Sequence, residues 1–308
     1  MRVKLECPVN FLGHQELDRI LESRKMTLCD EDPQAVIVNP GTSEFLDTAY
    51  FEKYKSLKVV GTPSTGTNHI DVAGLKKKGI NVTCLLDNKK SLEDIHASAE
   101  FTWLHIMNLT RKFTNAVNAT AGWRSNTNEL FLRSNELHGK TIGIVGLGRI
   151  GTKIAKYAST FGMNVCYYDP YVNNYSYTKV KSLKDLTECD TISINCALTK
   201  ETVGMIKPGV WDRINPGTIV VNPSRGEVVD EDYIVWLVKE AGILYGADVL
   251  RNEQNIAALK KSPILSLSKR TDKVVITPHV AGATKESQTK ALLTTLDLAK
   301  KSRKIKKK

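Results

Sequence analysis

The chain has 308 residues, 41% hydrophobic and 25% charged, with a formal net charge of +11. That length supports two domains with separate cores, and no apolar run approaches the roughly 18 residues of a membrane span, so a spanning protein is excluded. Seven basic residues fall within Lys300 to Lys308, so much of the excess charge is a tail, read as a solvated helix end. No aromatic stripe or nucleic-acid motif accompanies it, and a nucleic-acid partner is not expected.

Met1 to Val9 alternates in a strand-like way and lacks the apolar centre of a signal peptide, so a cytoplasmic location is expected. The six cysteines (Cys7, Cys29, Cys84, Cys166, Cys189, Cys196) show no C-x-x-C and no zinc spacing. They are expected as buried reduced thiols, with no metal site.

In chain order, Val3 to Glu6, Ala35 to Val38, Leu57 to Gly61 and Ile80 to Leu85 read as short buried strands. Gln15 to Ser23 and Val72 to Lys78 read as helices, the latter closed by Gly79. This predicts a small parallel α/β unit. From Ser91 to about Asn118 the period turns helical, with Ile95, Ala99, Trp103, Ile106 and Leu109 on one side, which suits a connector between domains.

Ile142 to Val145 then enters a turn with Gly146, Gly148 and Gly151 spaced as G-x-G-x-x-G, and a helical pattern leaves it from Arg149. Gly146 allows the tight turn, Gly148 lets backbone approach a pyrophosphate, and Gly151 lets the helix pack close to its strand. The helix N-terminus presents free N–H groups to phosphates. Eighteen residues past Gly151, the run Met163 to Tyr168 ends in Asp169, where a dinucleotide fold places an acid on the adenosine ribose hydroxyls. Its charge favours NAD over NADP.

Further strands are predicted at Thr191 to Asn195, Thr218 to Asn222, Ile243 to Asp248 and Val274 to Thr277, with a helix at Glu231 to Ala241 capped by Gly242. With the runs Ile142 to Val145 and Met163 to Tyr168, these make six strands of a doubly wound dinucleotide domain. The last helix, roughly Thr284 to Lys304, is not needed by that sheet and is expected to return to the N-terminal unit.

Three polar residues follow strands of the second domain, where ligands bind in open parallel sheets. They are Arg225 in Asn-Pro-Ser-Arg-Gly-Glu-Val-Val-Asp, Glu253 in Asp-Val-Leu-Arg-Asn-Glu, and His279 in Thr-Pro-His. A histidine beside a carboxylate gains a raised pKa suited to proton donation near neutrality, and a guanidinium can hold a carboxylate through two hydrogen bonds. A nicotinamide delivers hydride without a proton, so His279 is the candidate acid.

Four ordered motifs carry a family resemblance: Ser64-Thr65-Gly66-Thr67-Asn68-His69-Ile70-Asp71, the glycine fingerprint, Asn222 to Asp230, and Thr277-Pro278-His279. Over nearly its whole length the chain resembles the D-isomer-specific 2-hydroxyacid dehydrogenase family, and within it the D-3-phosphoglycerate dehydrogenase-like branch. The resemblance implies a Rossmann NAD-binding domain, a doubly wound parallel α/β sheet, with a second, smaller flavodoxin-like α/β domain. Their bounds would be 1–92 for the substrate domain, 93–283 for the NAD domain, and 284–308 for the returning helix. It implies substrate binding by Arg225, with Glu253 as partner of His279 and His279 as acid and base. Backbone N–H groups around Thr65, Gly66 and Thr67 would take the substrate carboxylate. Arg149 and Ile150 would meet the pyrophosphate, while Thr202, Ser224 and Asp248 would line the cofactor site. A homodimer is implied too, with the connector helix and Trp103 as its face, although packing within one chain explains the same pattern.

Three positions depart from the family pattern. Gln254 stands where proline is common, Cys196-Ala197-Leu198 replaces a proline-containing segment, and at the third position, the C-terminal end, a regulatory domain of the kind some phosphoglycerate dehydrogenases carry is not expected. Formate dehydrogenases carry Gln in place of Glu253, and phosphite dehydrogenases use a lysine that Ser64 to Asp71 lacks. The reading from another class is a co-repressor-like regulator that senses NAD(H) with little turnover. The side-chain pocket is expected from Asn39 to Ser43 and from Trp123, Arg124 and Arg133, whose arginines are either phosphate ligands or surface charges. Hydroxypyruvate, glyoxylate, 3-phosphohydroxypyruvate and longer keto acids all remain open substrates.

Overall fold

The computed structural model describes residues 1–42, 44–120, 123, 125–174 and 176–303. Ser43, Arg124 and the basic run beyond Arg303, all invoked above, lie outside the described residues. The chain divides into two compact units, one of residues 1–95 with 283–308 and one of residues 96–282.

The first unit holds a five-stranded parallel sheet of β1 (Arg2–Leu5), β2 (Thr27–Leu28), β3 (Ala35–Ile37), β4 (Val59–Gly61) and β5 (Asn81–Thr83), ordered β2-β1-β3-β4-β5. This is the flavodoxin-like order. The helix Lys285–Ser302 contributes Leu292, Leu296 and Ala299 to the core formed by Val3, Ile37 and Val59. Gly61 makes room for it, since a Cβ there would press on Thr295 Cγ2 at 2.8 Å.

The second unit holds β6 (Thr141–Val145), β7 (Asn164–Tyr168), β8 (Thr178–Lys179), β9 (Thr191–Ile194), β10 (Ile219–Asn222), β11 (Leu244–Ala247) and β12 (Val274–Ile276). All run parallel in the order β12-β11-β10-β9-β6-β7-β8. The central strands are buried on both faces, as their continuous apolar sequences require. The strand order reverses between β6 and β9, which puts the glycine turn at the switch point where open α/β sheets bind ligands.

Three expectations change. The sheet has seven strands rather than six, because β8 is a two-residue exposed edge with no apolar alternation to reveal it. The helical stretch from Ser91 to Asn118 is three helices: Lys89–Leu92, Ala97–Arg111 and Phe113–Asn118. Its second break is at Lys112, left-handed at φ 50°, where Asn108 Oδ1 accepts both the N–H and the hydroxyl of Thr114. Finally, only Cys7, Cys166 and Cys189 are buried, although all six cysteines are free thiols. The apolar side of Ala97–Arg111 (Ala99, Trp103, Ile106, Leu109) packs against Ile142, Ile154 and Val221 within the second unit. The face marked by Trp103 is therefore internal.

Among the described residues no helix is long and apolar enough to cross a membrane. Nor do any three His, Cys, Asp or Glu side chains there form a group that could hold a metal.

Candidate active site

The glycine turn takes its shape from steric need. Gly146 sits at φ 88°, and a Cβ there would meet Cys196 N at 2.9 Å, across the switch point. A Cβ on Gly151 would overlap the Gly146 carbonyl, so only glycine lets the helix Arg149–Thr160 start this close to β6. Around Gly148 there is open space, and no side chain caps the helix N-terminus. N–H groups uncapped by any side chain at the positive end of a 12-residue helix, next to open space at Gly148, fit a pyrophosphate. Burial pulls the Arg149 guanidinium below its ordinary pKa, and Ile150 follows it in the first turn.

Asp169 ends β7 nearly buried. Its Oδ2 accepts the Leu147 N–H at 2.9 Å, and its Oδ1 accepts those of Tyr171 and Val172 at 2.8 and 3.1 Å. The acid thus ties the glycine turn to the end of β7. Thr202 spans its own turn, donating to Ala197 O and accepting the Thr199 N–H, both at 2.7 Å.

The three candidate chemical residues lie on the carboxyl ends of adjacent strands β10, β11 and β12. Beyond β10, the buried Asn222 Oδ1 accepts the N–H and hydroxyl of Ser224 at 3.0 and 2.7 Å, and its Nδ2 donates to Arg225 O at 3.0 Å. Arg225 itself donates to Ser224 O at 2.6 Å.

Beyond β11, the N–H groups of Leu250, Arg251 and Asn252 each meet a carboxylate: Glu253 Oε2 at 3.1 Å, Glu231 Oε1 at 2.9 Å and Glu227 Oε1 at 3.2 Å. Glu231 is buried and also accepts the Ser262 hydroxyl at 2.7 Å. Gly226 lets the β10 loop lie directly on this one, since a Cβ would collide with the Leu250 and Arg251 backbone.

Beyond β12, the His279 N–H closes a tight turn onto Thr277 O at 3.0 Å, and His279 itself is left-handed at φ 54°. Asp248, 2% exposed, holds that turn. Its Oδ1 accepts the Thr277 hydroxyl at 2.6 Å and the Val280 N–H at 3.0 Å, and its Oδ2 accepts the Ala281 N–H at 2.7 Å.

His279 Nδ1 then stands 2.5 Å from Glu253 Oε1, with the imidazole 49% and the carboxylate 26% exposed. The hydrogen bond to Glu253 raises the imidazole above its ordinary pKa; partial burial and the Arg225 charge pull the other way, while Glu253 and Asp248 add attraction.

The structure therefore brings Arg225, Glu253 and His279 together with Ser224 and Asp248 in one unit. Thr65, Gly66 and Thr67 belong to the other unit. There Ser64 Oγ donates to Gly66 O at 2.7 Å, and Thr62 Oγ1 lies 3.0 Å from Ser64 Oγ and 3.2 Å from the buried His69 Nε2.

Sequence reasoning passes over Gly226, Glu227 and Glu231. Gly226 follows an arginine at a strand end and was open to notice. The two acids resemble ordinary first-turn helix residues, and only the folded loop shows what they accept.

Residues 103–281 match the profile of a family described as D-isomer specific 2-hydroxyacid dehydrogenase, NAD binding domain. The chain is similar to a glyoxylate reductase of Thermofilum pendens, 34% identical over 90% of this chain and 77% of that protein. It is similar to a D-3-phosphoglycerate dehydrogenase of Archaeoglobus fulgidus, 31% identical over 83% of this chain but 46% of that one. The chain thus spans about half the length of that second relative. A crystal structure of a D-lactate dehydrogenase from Aquifex aeolicus with NAD and lactic acid superposes with a TM-score of 0.76, at 26% identity, over 97% of this chain and 94% of the other.

Proposed function

The chain belongs to the D-isomer specific 2-hydroxyacid dehydrogenase family, with an NAD binding domain at residues 103–281, and from that membership we propose that it interconverts a D-2-hydroxyacid and its 2-keto acid. The observation that carries the reading is the 2.5 Å contact of Glu253 with His279, beside Arg225 at the carboxyl ends of a dinucleotide-type sheet. Bound NAD would take a hydride from the hydroxyl carbon, and NADH would return it.

The chain's own residues supply the rest. His279 moves the proton at Nε2, taking it from the hydroxyl during oxidation and giving it to the carbonyl oxygen during reduction. Glu253 fixes the ring through Nδ1 and supports its positive form. Arg225 holds the substrate carboxylate and polarises the oxygen beside it. Within the first unit, the family resemblance assigns the backbone N–H groups of Thr65, Gly66 and Thr67 to a substrate carboxylate. Gly146, Gly148, Arg149, Ile150 and Gly151 receive the pyrophosphate; Asp169 meets the ribose, and Thr202, Ser224 and Asp248 border the cofactor.

We assign a short, unphosphorylated keto acid such as glyoxylate or hydroxypyruvate as the preferred class. Arg133, one of two arginines available to a phosphate, pairs with Glu129 at 3.3 Å on an exposed helix. We also propose a homodimer. With the Trp103 face internal, its candidate surface is the set of exposed apolar side chains Leu104, Phe113, Val117, Leu130 and Phe131. A cytoplasmic location accords with an enzyme of small metabolites. NADH oxidation against a panel of 2-keto acids tests the activity. NADH binding with no acid reduced would favour the NAD(H)-sensing regulator instead.

A further inference from the structure

We propose that His105, on the helix Ala97–Arg111, is a positioning residue that sets the turn carrying His279. The inference rests on the reading of His279 as acid and base. His105 is 4% exposed, and its Nε2 lies 3.0 Å from Thr277 Oγ1. That hydroxyl donates to Asp248 Oδ1 at 2.6 Å, and a hydroxyl has one proton to give. Its one proton therefore goes to Asp248, and toward His105 it must accept. So Nε2 carries the imidazole proton, and Nδ1 is the bare nitrogen.

Nδ1 is buried and has no hydrogen-bond partner among the described residues. Space for it depends on Gly246, where a Cβ would sit 3.0 Å away. Burial lowers the imidazole pKa, with the Asp248 charge opposing. The Phe101 ring meets its edge at 5.4 Å. A buried imidazole whose second nitrogen bonds nothing is retained for what its first one does.

What Nε2 does is orient a hydroxyl that has two acceptors in reach, Asp248 Oδ1 at 2.6 Å and Ala247 O at 3.5 Å. With the His105 N–H on one side, the Thr277 proton points to Asp248. Asp248 then grips the chain before His279 through Thr277 and after it through the N–H groups of Val280 and Ala281. Between these anchors His279 holds a left-handed backbone that a non-glycine residue rarely adopts unaided. The charged groups acting on His279 are Glu253, Arg225 and Asp248, and the relay from His105 governs the last of them.

The test compares wild type with His105→Leu, His105→Gln, Thr277→Val and the Leu/Val double variant. Kinetics use NADH and the fastest acid among glyoxylate, hydroxypyruvate and 3-phosphohydroxypyruvate, while NMR titration follows His279. His105→Leu should lower kcat about tenfold with KM and NADH affinity nearly kept, and should lower the His279 midpoint by about half a pH unit or more. His105→Gln, which restores an N–H at the same reach, should recover most of both. Thr277→Val should match His105→Leu, and the double variant should be no worse.

An unchanged kcat and midpoint in His105→Leu would overturn the proposal, as would a folded His105→Gln as impaired as the leucine variant. If His105→Leu does not fold, Thr277→Val and His105→Gln decide alone. If wild type reduces none of the acids, the reading of His279 as acid fails, and the titration still decides whether His105 positions it.

Discussion

Glu253 Oε1 and His279 Nδ1 lie 2.5 Å apart, although the two residues come from loops after different strands and 26 positions apart in sequence. The pair sets the pH behaviour. Keto-acid reduction needs protonated His279, so kcat/KM for reduction should fall as pH rises through the raised imidazole pKa, while oxidation rises across the same window. Glu253→Gln removes the main raising influence, so both transitions should move to lower pH. A profile of each direction from acid to alkaline pH checks this; an unmoved midpoint in the variant would separate Glu253 from the titration.

Gly226→Ala should cost stability and activity together. The added methyl collides with the Leu250 and Arg251 backbone, and overpacking of this kind costs about 1–3 kcal/mol. In a domain of this size that is roughly 2–4 °C of Tm per kcal/mol. Because the displaced loop carries Glu253, calorimetry should show the lower Tm and kinetics a lower kcat. An alanine variant as stable and active as wild type would show that the loops yield without consequence.

Asp169→Ala should weaken NADH binding and narrow its advantage over NADPH. Hydrogen bonds to a charged acceptor contribute about 1.5–3 kcal/mol, so a loss on the order of 10- to 100-fold in NADH affinity is expected. The variant also frees the N–H groups of Leu147, Tyr171 and Val172, which would harm both cofactors alike. The NADH-to-NADPH ratio from fluorescence titration is therefore the informative quantity, and an unchanged ratio would remove Asp169 from cofactor choice.

Leu130→Glu with Phe131→Glu should yield monomers where wild type gives dimers by light scattering. Both side chains are more than half exposed, so the substitutions leave each unit's core intact. A wild type that is monomeric at micromolar concentration would contradict the dimer.

The parts of the fold visible in sequence are those where local pattern and final burial coincide. Ile142 to Val145 and Ile219 to Val221 are apolar because they are buried on both faces, and Gly146 and Gly151 are glycines because no side chain fits. Edge strands such as Thr27–Leu28 and Thr178–Lys179 have two exposed residues each, and nothing periodic can reveal them. The left-handed break at Lys112 depends on where Asn108 turns its side chain, which no helical period encodes. Trp103 and its neighbours are legible as an apolar stripe, but a stripe does not state its partner, and here the partner is the same unit.

At the site, parallel topology explains why Arg225, Glu253 and His279 meet, since β10, β11 and β12 are neighbours and each residue follows its strand. The supporting shell is less legible. Asp248 reads as a residue bordering the cofactor, yet its carboxylate is engaged with Thr277, Val280 and Ala281. Glu227 and Glu231 read as first-turn acids, yet they receive the loop N–H groups that shape the path to Glu253. Such roles depend on contacts between distant segments, which composition and spacing do not carry.

On the proposed function, His279 transfers a proton during NAD(H)-dependent reduction of a 2-keto acid. Following NADH oxidation by wild type and His279→Ala with glyoxylate, hydroxypyruvate and 3-phosphohydroxypyruvate tests it most directly. Wild type should turn over, fastest with an unphosphorylated acid. The alanine variant should lose about 10²- to 10⁴-fold in rate, with NADH affinity retained. Equal turnover by the two proteins, or none by wild type despite NADH binding, would contradict it.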